Sequence, residues 1–473
     1  MKHSLATRIS SSGRIAAAVA FLSAFGFFQF AYPYHLMRRE QQTLFVYDWD
    51  YIRQTYRGSG WLARFVGDFL EQFFHLPVVG PLIVALILTA IGFVVYRICR
   101  HFLKEWPSLT IAAAVFLWSF SRESGNLFIT QYSVAALGYL SLILAALQFR
   151  KAWLKPLAAV LLLAAGAWAL GSPYHKYYGQ LWGVPKFAYD KVIGLDTEVS
   201  RENWDKVLKL SQKDLYMVEA SNCYNLAHAM KGDLGDALLN HSQSGPYDLL
   251  MQVSTSRAEF SNCLAGEAWF QLGEMTVAEQ SAIIALQGSP KHTGTRFIQR
   301  LARINLISGE EGAALKYLNL LSRTLFYGKW ARSMMPGRQD TAALAQIEAA
   351  RSRMPRIDMV HHSDTPRVNL LGLLEGDPDN SPARQFLLCY DLMRFDMDDF
   401  LEDYSRYPAK GHIFQEAVLL RLSQLEELSP ENAAKYGVGT DMINKLNRFF
   451  RNPALYEDTY WYYFMDTLYE SEQ

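Results

Sequence analysis

Five long apolar runs occupy the first 172 residues of this 473-residue chain, and they limit its fold more than any other feature of the sequence. About twenty helical residues are enough to cross the roughly 30 Å hydrocarbon core of a bilayer. The runs lie at 13–34, 76–96, 106–120, 130–149 and 155–171. The sequence therefore predicts an N-terminal bundle of about five transmembrane helices, although the third run is short enough to be re-entrant instead.

The first run resembles a signal peptide, because it follows the basic residues Lys2, Arg8 and Arg14. Its apolar part is longer than the roughly 7–15 residues of a signal sequence, and it ends in aromatic residues rather than at a small-residue cleavage site. We therefore expect an uncleaved anchor with its N-terminus in the cytoplasm.

Basic residues between the later runs set the expected orientation. Short cytoplasmic loops of membrane proteins are rich in Lys and Arg. Two basic groups satisfy this rule if the chain crosses the membrane either five or three times: Arg97, Arg100 and Lys104, and Arg150, Lys151 and Lys155. In both arrangements the residues from about 173 onward lie outside the cytoplasm. For a protein of a bacterial inner membrane, this compartment is the periplasm.

The charges are divided between the two parts of the chain. Residues 1–172 carry 15 Lys and Arg against 7 Asp and Glu, whereas the remaining residues carry 31 against 39. A basic membrane part is thus joined to an acidic soluble part. Because no basic tract interleaved with aromatic residues occurs, nucleic acid is not an expected partner, whereas the lipid bilayer is one.

The soluble half reads as an all-α region that follows an aromatic connector at 173–196. Within 197–333, helical patterns break at Gly232, Gly273 and Gly309, which are 41 and 36 residues apart. This spacing is close to the period of tetratricopeptide-type helix pairs. A small residue follows each glycine by four or five positions: Ala237, Ala278 and Ala313. We expect a tetratricopeptide-like α-helical solenoid, with an irregular all-α domain as the alternative.

The remainder of the chain divides into a loop-rich insert and a set of C-terminal helices. Within the loop-rich insert 334–380, residues 334–369 contain three prolines and a run of charges and predict a long loop with one short helix, and residues 381–473 become helical again. The tail 456–469 is rich in tyrosine. Such an aromatic surface must be covered either by another helix or by a partner, and we expect it to pack against its own domain.

The sequence suggests no cofactor and no metal site. The four cysteines, Cys99, Cys223, Cys263 and Cys389, lack ligand spacing. Outside the cytoplasm Cys223 and Cys263 could form a disulfide, but we expect buried free thiols instead. The sequence around His361 and Asp364 resembles a ligand set only superficially, because adjacent histidines point apart in a polar loop.

Four segments of the chain stand out together: "GSGWLARFVGDFLEQFF" (58–74), "NWDKVLKLSQK" (203–213), "NLAHAMKGDLGDALLNHSQSG" (225–245) and "LKYLNLLSRTLFYGKWA" (315–331). Their combination resembles a family of multi-pass membrane proteins of unknown function from Bacteroides-type bacteria. The piece "TLFYGKWA" (324–331) is the most specific. The resemblance implies a membrane location with a helical C-terminal region, and it implies no activity.

One catalytic hypothesis concerns the loop after the first run. Asp48 and Asp50 lie where membrane glycosyltransferases with lipid-linked donors similarly carry an acidic residue, which orients a metal or deprotonates an acceptor. Arg53 and Arg57 would then bind the lipid phosphate. Against it stands the next segment, 61–74, which has a broad apolar face and a polar stripe of Arg64, Asp68 and Glu71. Such a pattern is typical of an amphipathic interfacial helix with its charges toward water.

The favoured function is binding of a protein or peptide partner by the extracytoplasmic helical region, in a scaffold or assembly role. Stacked helix pairs offer concave binding faces, and no assembled catalytic set is present in the sequence. An ion transporter is disfavoured because the runs contain almost no internal charge. Side chains that could contact the partner are Trp204, Tyr224, Asn225, Trp269, Tyr327 and Trp330.

Overall fold

The computed structural model describes residues 10–125, 130–149, 151, 153–172, 182–211, 217–356, 360–361 and 364–471. These described residues form helices joined by turns, with no strand among them, so the predicted all-α class is confirmed. The chain divides into two compact units. The first unit comprises Met1–Ile193, Pro290–Ile298 and Leu318–Arg332, and the second comprises Gly194–Ser289, Gln299–Tyr317 and Ser333–Gln473.

Eight helices build most of the first unit. They are α1 (Ser11–Gly26, continued by a π-helical turn over Phe27–Ala31), α2 (Tyr34–Gln41), α3 (Trp49–Thr55), α4 (Trp61–Glu71), α5 (Val79–Cys99), α6 (Glu105–Glu123), α7 (Thr130–Leu147) and α8 (Leu154–Leu170).

A helix occupies each of the five apolar runs, but fewer than five helices are both long and apolar enough to span a bilayer. Among the described residues three helices meet that condition: Ser11–Ala31, Val79–Cys99 and Thr130–Leu147. Helix α8 is apolar but has only 17 residues. Helix α6 has 19 residues, more than the predicted 106–120, and is less apolar, with charged residues at both ends. The expectation of about five spans is therefore supported for three helices by length and composition.

The core of the first unit forms where α1 and its π-helical extension meet α5. Its buried side chains include Ala24, Phe28, Tyr32, Phe74 and Leu88. Helices α4 and α7 also pack together, and Gly67 permits their closest approach. A Cβ atom at Gly67 would lie 2.8 Å from the backbone nitrogen of Gln131, closer than real Cβ atoms approach another backbone.

The ends of the helices show the path of the chain through the first unit. At one end, the Ser10 and Tyr96 hydroxyls lie 3.1 Å apart, which joins the start of α1 to the end of α5. At the other end, the Gly60 N–H donates to the carbonyl of Trp168 (2.8 Å), which joins the start of α4 to the end of α8. Successive long helices of this unit therefore run between the same two ends.

The remaining helices follow in order. They are α9 (Phe187–Ser200), α10 (Trp204–Ser211), α11 (Val218–Lys231), α12 (Leu234–Ala237), α13 (Glu259–Leu272), α14 (Met275–Gly288), α15 (Thr295–Ser308), α16 (Glu311–Leu321), α17 (Gly328–Ser333), α18 (Thr341–Arg351), α19 (Pro366–Gly376), α20 (Ser381–Met393), α21 (Met397–Arg406), α22 (His412–Gln424), α23 (Pro430–Lys435), α24 (Thr440–Arg451) and α25 (Tyr460–Ser471).

The three glycines of the helical region end α11, α13 and α15 as the sequence predicts. Gly232, Gly273 and Gly309 have φ of +83°, +105° and +82°, a left-handed conformation that glycine adopts without steric penalty. The next helix begins two residues later in each case. Ala278 is buried at the predicted offset, but in the third pair the fully buried small residue is Ala314 rather than Ala313. Stacking of these pairs into a solenoid stays a prediction.

The last part of the chain is more helical than its sequence indicates. The segment 334–380 contains two helices, α18 and α19, and not the single short helix expected; residues 357–359 and 362–363 lie outside the described part. The aromatic tail packs on its own domain, as predicted, because Tyr460 and Trp461 are fully buried. Cys223, Cys263 and Cys389 are buried free thiols, which agrees with the favoured reading of the cysteines.

Candidate functional site

Charged side chains meet in the interior of the first unit, in a group that we call the Lys291 cluster. It is built from α2, α4, the last residue of α6 and the segment Pro290–Ile298, and its members are Arg39, Asp68, Glu71, Glu123 and Lys291. The first four are buried, whereas the Lys291 side chain is 21% exposed to solvent. Burial of so many charges requires that they pair with one another, since each loses its hydration.

Lys291 lies between the two carboxylates of α4. Its Nζ atom forms an ion pair with Asp68 Oδ1 and a second one, at 3.1 Å, with Glu71 Oε2. Hydroxyl groups also donate to both carboxylates, on the second oxygen of Asp68 and on the oxygen of Glu71 that pairs with Lys291. The Tyr56 hydroxyl donates to Asp68 Oδ2 (3.1 Å), and the Thr43 hydroxyl donates to Glu71 Oε2 (2.7 Å). Each carboxylate of α4 is therefore bound by both a cation and a neutral donor.

The second half of the cluster is centred on the ion pair of Arg39 and Glu123. Arg39 Nη1 contacts Glu123 Oε1, and Nη2 donates to the Glu123 carbonyl at 3.0 Å. The Ser133 hydroxyl donates to Glu123 Oε2 (2.6 Å). Thr130 joins the two halves, because its N–H donates to Glu71 Oε1 (3.0 Å) and its hydroxyl lies 3.5 Å from Arg39 Nη1.

The cluster contains three carboxylates and two cations. The surroundings shift the pKa values of Asp68, Glu71 and Lys291 in different ways. Burial raises the pKa of Asp68 even though Lys291 opposes the shift. Burial acts in the same direction on Glu71, but Lys291 and Arg39 outweigh it and lower the pKa of that carboxyl. Burial disfavours the charged form of Lys291, yet the two carboxylates prevail and raise its pKa. Of the two carboxylates that Lys291 contacts, the surroundings therefore favour the protonated form of Asp68 and the charged form of Glu71.

The sequence pattern did not anticipate this burial. The polar stripe of α4 was expected to face water, and this expectation is wrong for Asp68 and Glu71. Asp68 and Glu71 are buried, and the Arg64 guanidinium instead donates to the Arg57 carbonyl. The partner of both acids is Lys291, which lies 220 residues after Glu71 in the sequence. A local helical pattern contains no information on so distant a residue.

The "TLFYGKWA" segment also belongs to the first unit. The Tyr327 hydroxyl donates to Glu40 Oε1 (2.8 Å), and the Phe326 ring packs edge-on against Phe73 and His75, with centroid distances of 5.5 and 4.2 Å. Trp330 is half-buried on α17. Tyr327 and Trp330, both candidates for partner contact, thus lie beside helices of the first unit, and Tyr327 already has an internal partner.

Asp48, one of the two candidate catalytic acids, has two structural contacts. Its carboxylate caps α3 by accepting the Tyr51 N–H (3.0 Å), and its other oxygen lies 2.7 Å from Arg323 Nη1. The preference of helix N-termini for Asp explains the first contact. These contacts account for Asp48 without a substrate.

The three other candidates of this loop do not converge on Asp48. Asp50 lies exposed in the first turn of α3. The Arg53 guanidinium lies over the Trp49 ring at 5.0 Å, and Arg57 Nε donates to the Arg53 carbonyl (2.8 Å). The two arginines therefore interact with this short helix itself, rather than forming an assembled phosphate site.

Replacement of Asp48 separates its two structural contacts. We expect Asp48→Ala to lower stability by about 1 kcal/mol, because α3 loses its cap. Asp48→Asn keeps an oxygen that can accept the Tyr51 N–H and loses only the exposed ion pair, so its effect should be much smaller. Thermal unfolding of both variants in detergent tests this expectation. Equal losses in the two variants would contradict a capping role.

The candidate partner-binding residues of the helical region lie in different environments. Trp204 and Tyr224 are half-buried on α10 and α11, two helices that pack together. Asn225 is buried and donates to the carbonyl of Asp248 (3.1 Å), and Trp269 is fully buried in the core. Of these four, Trp204 and Tyr224 are the side chains that a partner could reach in this conformation.

The segment around His361 was considered as a ligand set. His361 Nδ1 lies 2.9 Å from the buried Glu274 Oε1, whereas the neighbouring His362 lies outside the described residues. Across the described ranges, no group of three or more His, Cys, Asp or Glu side chains is placed to hold a metal ion.

A separate acidic group in the second unit gives a pH prediction. Burial raises the pKa of Asp391 to about 8, although Arg367 opposes the shift, and Asp403 and Asp399 add to it. Because the unfolded chain releases this proton near pH 4, the folded state binds more protons between these values. Stability should therefore fall as pH rises from about 4 to about 8.

Asp391→Asn should flatten this part of the pH profile, because the amide has no proton to release. Thermal unfolding measured at a series of pH values provides the test. Asp379→Asn is the control, since the Asp379 side chain is almost fully exposed. A profile of equal slope in Asp391→Asn and the unmodified protein would contradict the prediction.

Both parts of the chain match a protein family. A family described as a family of unknown function (DUF6057) matches residues 7–178 and 174–467. The chain belongs to this family. The match covers both the apolar runs and the helical region, and it confirms the resemblance to an uncharacterised family. No curated protein and no solved structure matches the chain. Membership of DUF6057 therefore brings no activity with it.

Proposed function

We propose that this DUF6057 protein is an integral protein of a bacterial inner membrane whose periplasmic helical region binds a protein or peptide partner, in a scaffold or assembly role. The observation that carries the membrane part is the path of the first unit. Glu123 at the end of α6 and Thr130 at the start of α7 both contact Lys291 cluster residues from α2 and α4. All of these groups lie at one end of the helices.

This path supports five crossings, including α6 and α8. Helix α5 leaves the cluster end and α6 returns to it; α7 leaves it and α8 returns, because the Ser59 hydroxyl before α4 donates to the Ala167 carbonyl of α8 (2.8 Å). The opposite end carries Arg97, Arg100 and Lys104 and the basic residues 151 and 155. The positive-inside rule then assigns the basic end to the cytoplasm and the segment after α8 to the periplasm.

The topology is tested with alkaline phosphatase fused after Gln473. The enzyme should be active, since it folds to its active form in the periplasm. A fusion placed after Lys104 should be inactive. Activity in the second fusion and not in the first would refute the orientation.

Partner binding is supported by the half-exposed aromatic side chains of α10 and α11. The Tyr224 ring stacks on His241 at 4.9 Å and meets His228 edge-on at 4.5 Å, so its orientation is fixed by neighbours. Fixed, partly exposed aromatic residues contribute much of the binding free energy at protein interfaces. Trp204, which is also half-exposed, lies on α10, the helix that packs against α11.

Photocrosslinking in native membranes tests the partner role. A benzoylphenylalanine at position 204 or 224 should give a discrete crosslinked species that mass spectrometry identifies as one protein. The matched control is the same residue at position 450, where Phe450 is 52% exposed on α24. Absence of a species at 204 and 224, or identical products at all three positions, would contradict a partner surface at α10 and α11.

A further inference from the structure

A groove of about 450 Å³ opens between α1, α5 and α6 in the first unit. Small residues of α1 and α6 form its walls, among them Ala17, Ala20, Ala112 and Ala113, while Gly92 of α5 lies in its floor. Ser23, Thr89 and Tyr96 are its polar residues. A space of this volume and apolar character fits one small or chain-like apolar ligand.

The groove faces the bilayer rather than the interior of the protein. Val19 and Leu117, two of its lining residues, are 58% and 59% exposed. Both lie within helices that occupy apolar runs, so their exposed surfaces meet hydrocarbon in a membrane. An occupant could therefore enter from the lipid phase by lateral movement.

One end of the groove lies beside a group of cations. Gly13 and Tyr96 line that end, and a Cβ atom at Gly13 would lie 3.1 Å from the Tyr96 ring. The adjacent residues in the sequence are Arg14 and Arg97, and Arg100 follows one turn later. An apolar slot that ends at a basic rim complements a molecule with a long apolar chain and an anionic head.

We propose that this groove binds one acyl chain of an anionic phospholipid, with the phosphate of the headgroup near Arg14, Arg97 and Arg100. Arginine side chains bind phosphate oxygens through paired N–H donors, and a basic cluster at the membrane surface attracts anionic lipid. A transmembrane helix of a partner would also pack on small residues, but it would bring no phosphate to Arg97 and Arg100. This inference rests on the membrane location proposed above and is independent of the partner.

Native mass spectrometry of the full chain in detergent tests the proposal. The protein is titrated with phosphatidylglycerol or phosphatidylcholine of identical acyl chains. We expect at least a tenfold preference for phosphatidylglycerol. Arg97→Gln combined with Arg100→Gln should reduce that preference several-fold, because the phosphate loses two donors.

Variants that fill the groove test the acyl-chain site. Ala17→Phe should reduce phosphatidylglycerol binding at least tenfold, and Ala113→Leu provides a milder substitution on the opposite wall should the first fail to fold. Leu157→Phe on α8 is the control, since Leu157 is 49% exposed and does not line the groove. Unchanged lipid binding in the filled variants, or loss of a dimer instead of loss of lipid adducts, would overturn the proposal. Neither result bears on the crosslinking of positions 204 and 224.

Discussion

Lys291→Met should be among the most destabilising single substitutions in the first unit, with an expected loss of about 2–4 kcal/mol. Removal of one partner from a fully buried ion pair typically costs about 3–5 kcal/mol, and we expect somewhat less because Lys291 keeps some solvent contact. The loss arises because Asp68 and Glu71 remain buried without their shared cation. Denaturation in detergent micelles followed by tryptophan fluorescence measures it.

Neutralisation of the two unpaired carboxylates should restore much of the lost stability. When Lys291→Met is combined with Asp68→Asn and Glu71→Gln, neutral amides replace the two carboxylates and need no cation. Arg323→Gln is the matched control, because it breaks an ion pair with Asp48 in which the arginine side chain is 56% exposed. Exposed pairs contribute less than about 1 kcal/mol. If Lys291→Met and Arg323→Gln lowered the free energy of unfolding equally, the ion pairs of Lys291 would contribute no more to stability than an exposed pair.

The helices could be predicted because their determinants are local. Apolar runs of sufficient length located all five long helices of the first unit, and Gly232, Gly273 and Gly309 marked three turns where the structure has left-handed glycines. In each case the information lies within one short continuous stretch of the sequence. The same reasoning fails when a partner is distant, since periodicity places a side chain on a face and does not say what covers that face.

Two residues of the Lys291 cluster, Asp68 and Glu71, were recognised in the sequence as part of a polar stripe, but their partners were not. Glu71 and Glu123 lie at the ends of apolar helices, where a carboxylate needs a partner as soon as that end is buried. Arg39 and Lys291 supply the partners from segments far along the chain. The one usable signal in the sequence was an absence: Glu71 has no Lys or Arg within one helical turn, since Arg64 lies seven residues before it.

Whether a candidate side chain can be reached by a partner depends on its burial, which the composition of the sequence does not give. Trp269 was a candidate for partner contact, yet its side chain is in the core, whereas Trp204 with the same chemistry is half-exposed. Trp204 lies on the short amphipathic helix α10, whereas nearly every residue of α13, the helix of Trp269, is buried. The difference comes from how neighbouring helices cover them, a property of the tertiary fold.

Glu416→Ala should release the aromatic C-terminal helix from the second unit. The Glu416 side chain is fully buried on α22; its Oε2 accepts the Tyr460 N–H (2.8 Å) and its Oε1 lies 2.9 Å from Lys445 Nζ. Its backbone carbonyl accepts the Trp461 indole N–H at 2.7 Å. Loss of a buried charged acceptor leaves the Tyr460 N–H without a partner and removes the ion pair with Lys445, so we expect a loss of about 2–4 kcal/mol.

Hydrogen exchange followed by mass spectrometry measures this release, because peptides of α25 should exchange faster while those of the core helix α20 change less. Glu416→Gln tests the cause. The amide oxygen still accepts the Tyr460 N–H but no longer pairs with Lys445, so its effect should lie between those of the unmodified protein and the alanine variant. Glu402→Ala, at an exposed position of α21, should leave exchange unchanged. If α25 exchanged at its original rate in Glu416→Ala, the burial of Trp461 alone would be sufficient to hold the helix in place.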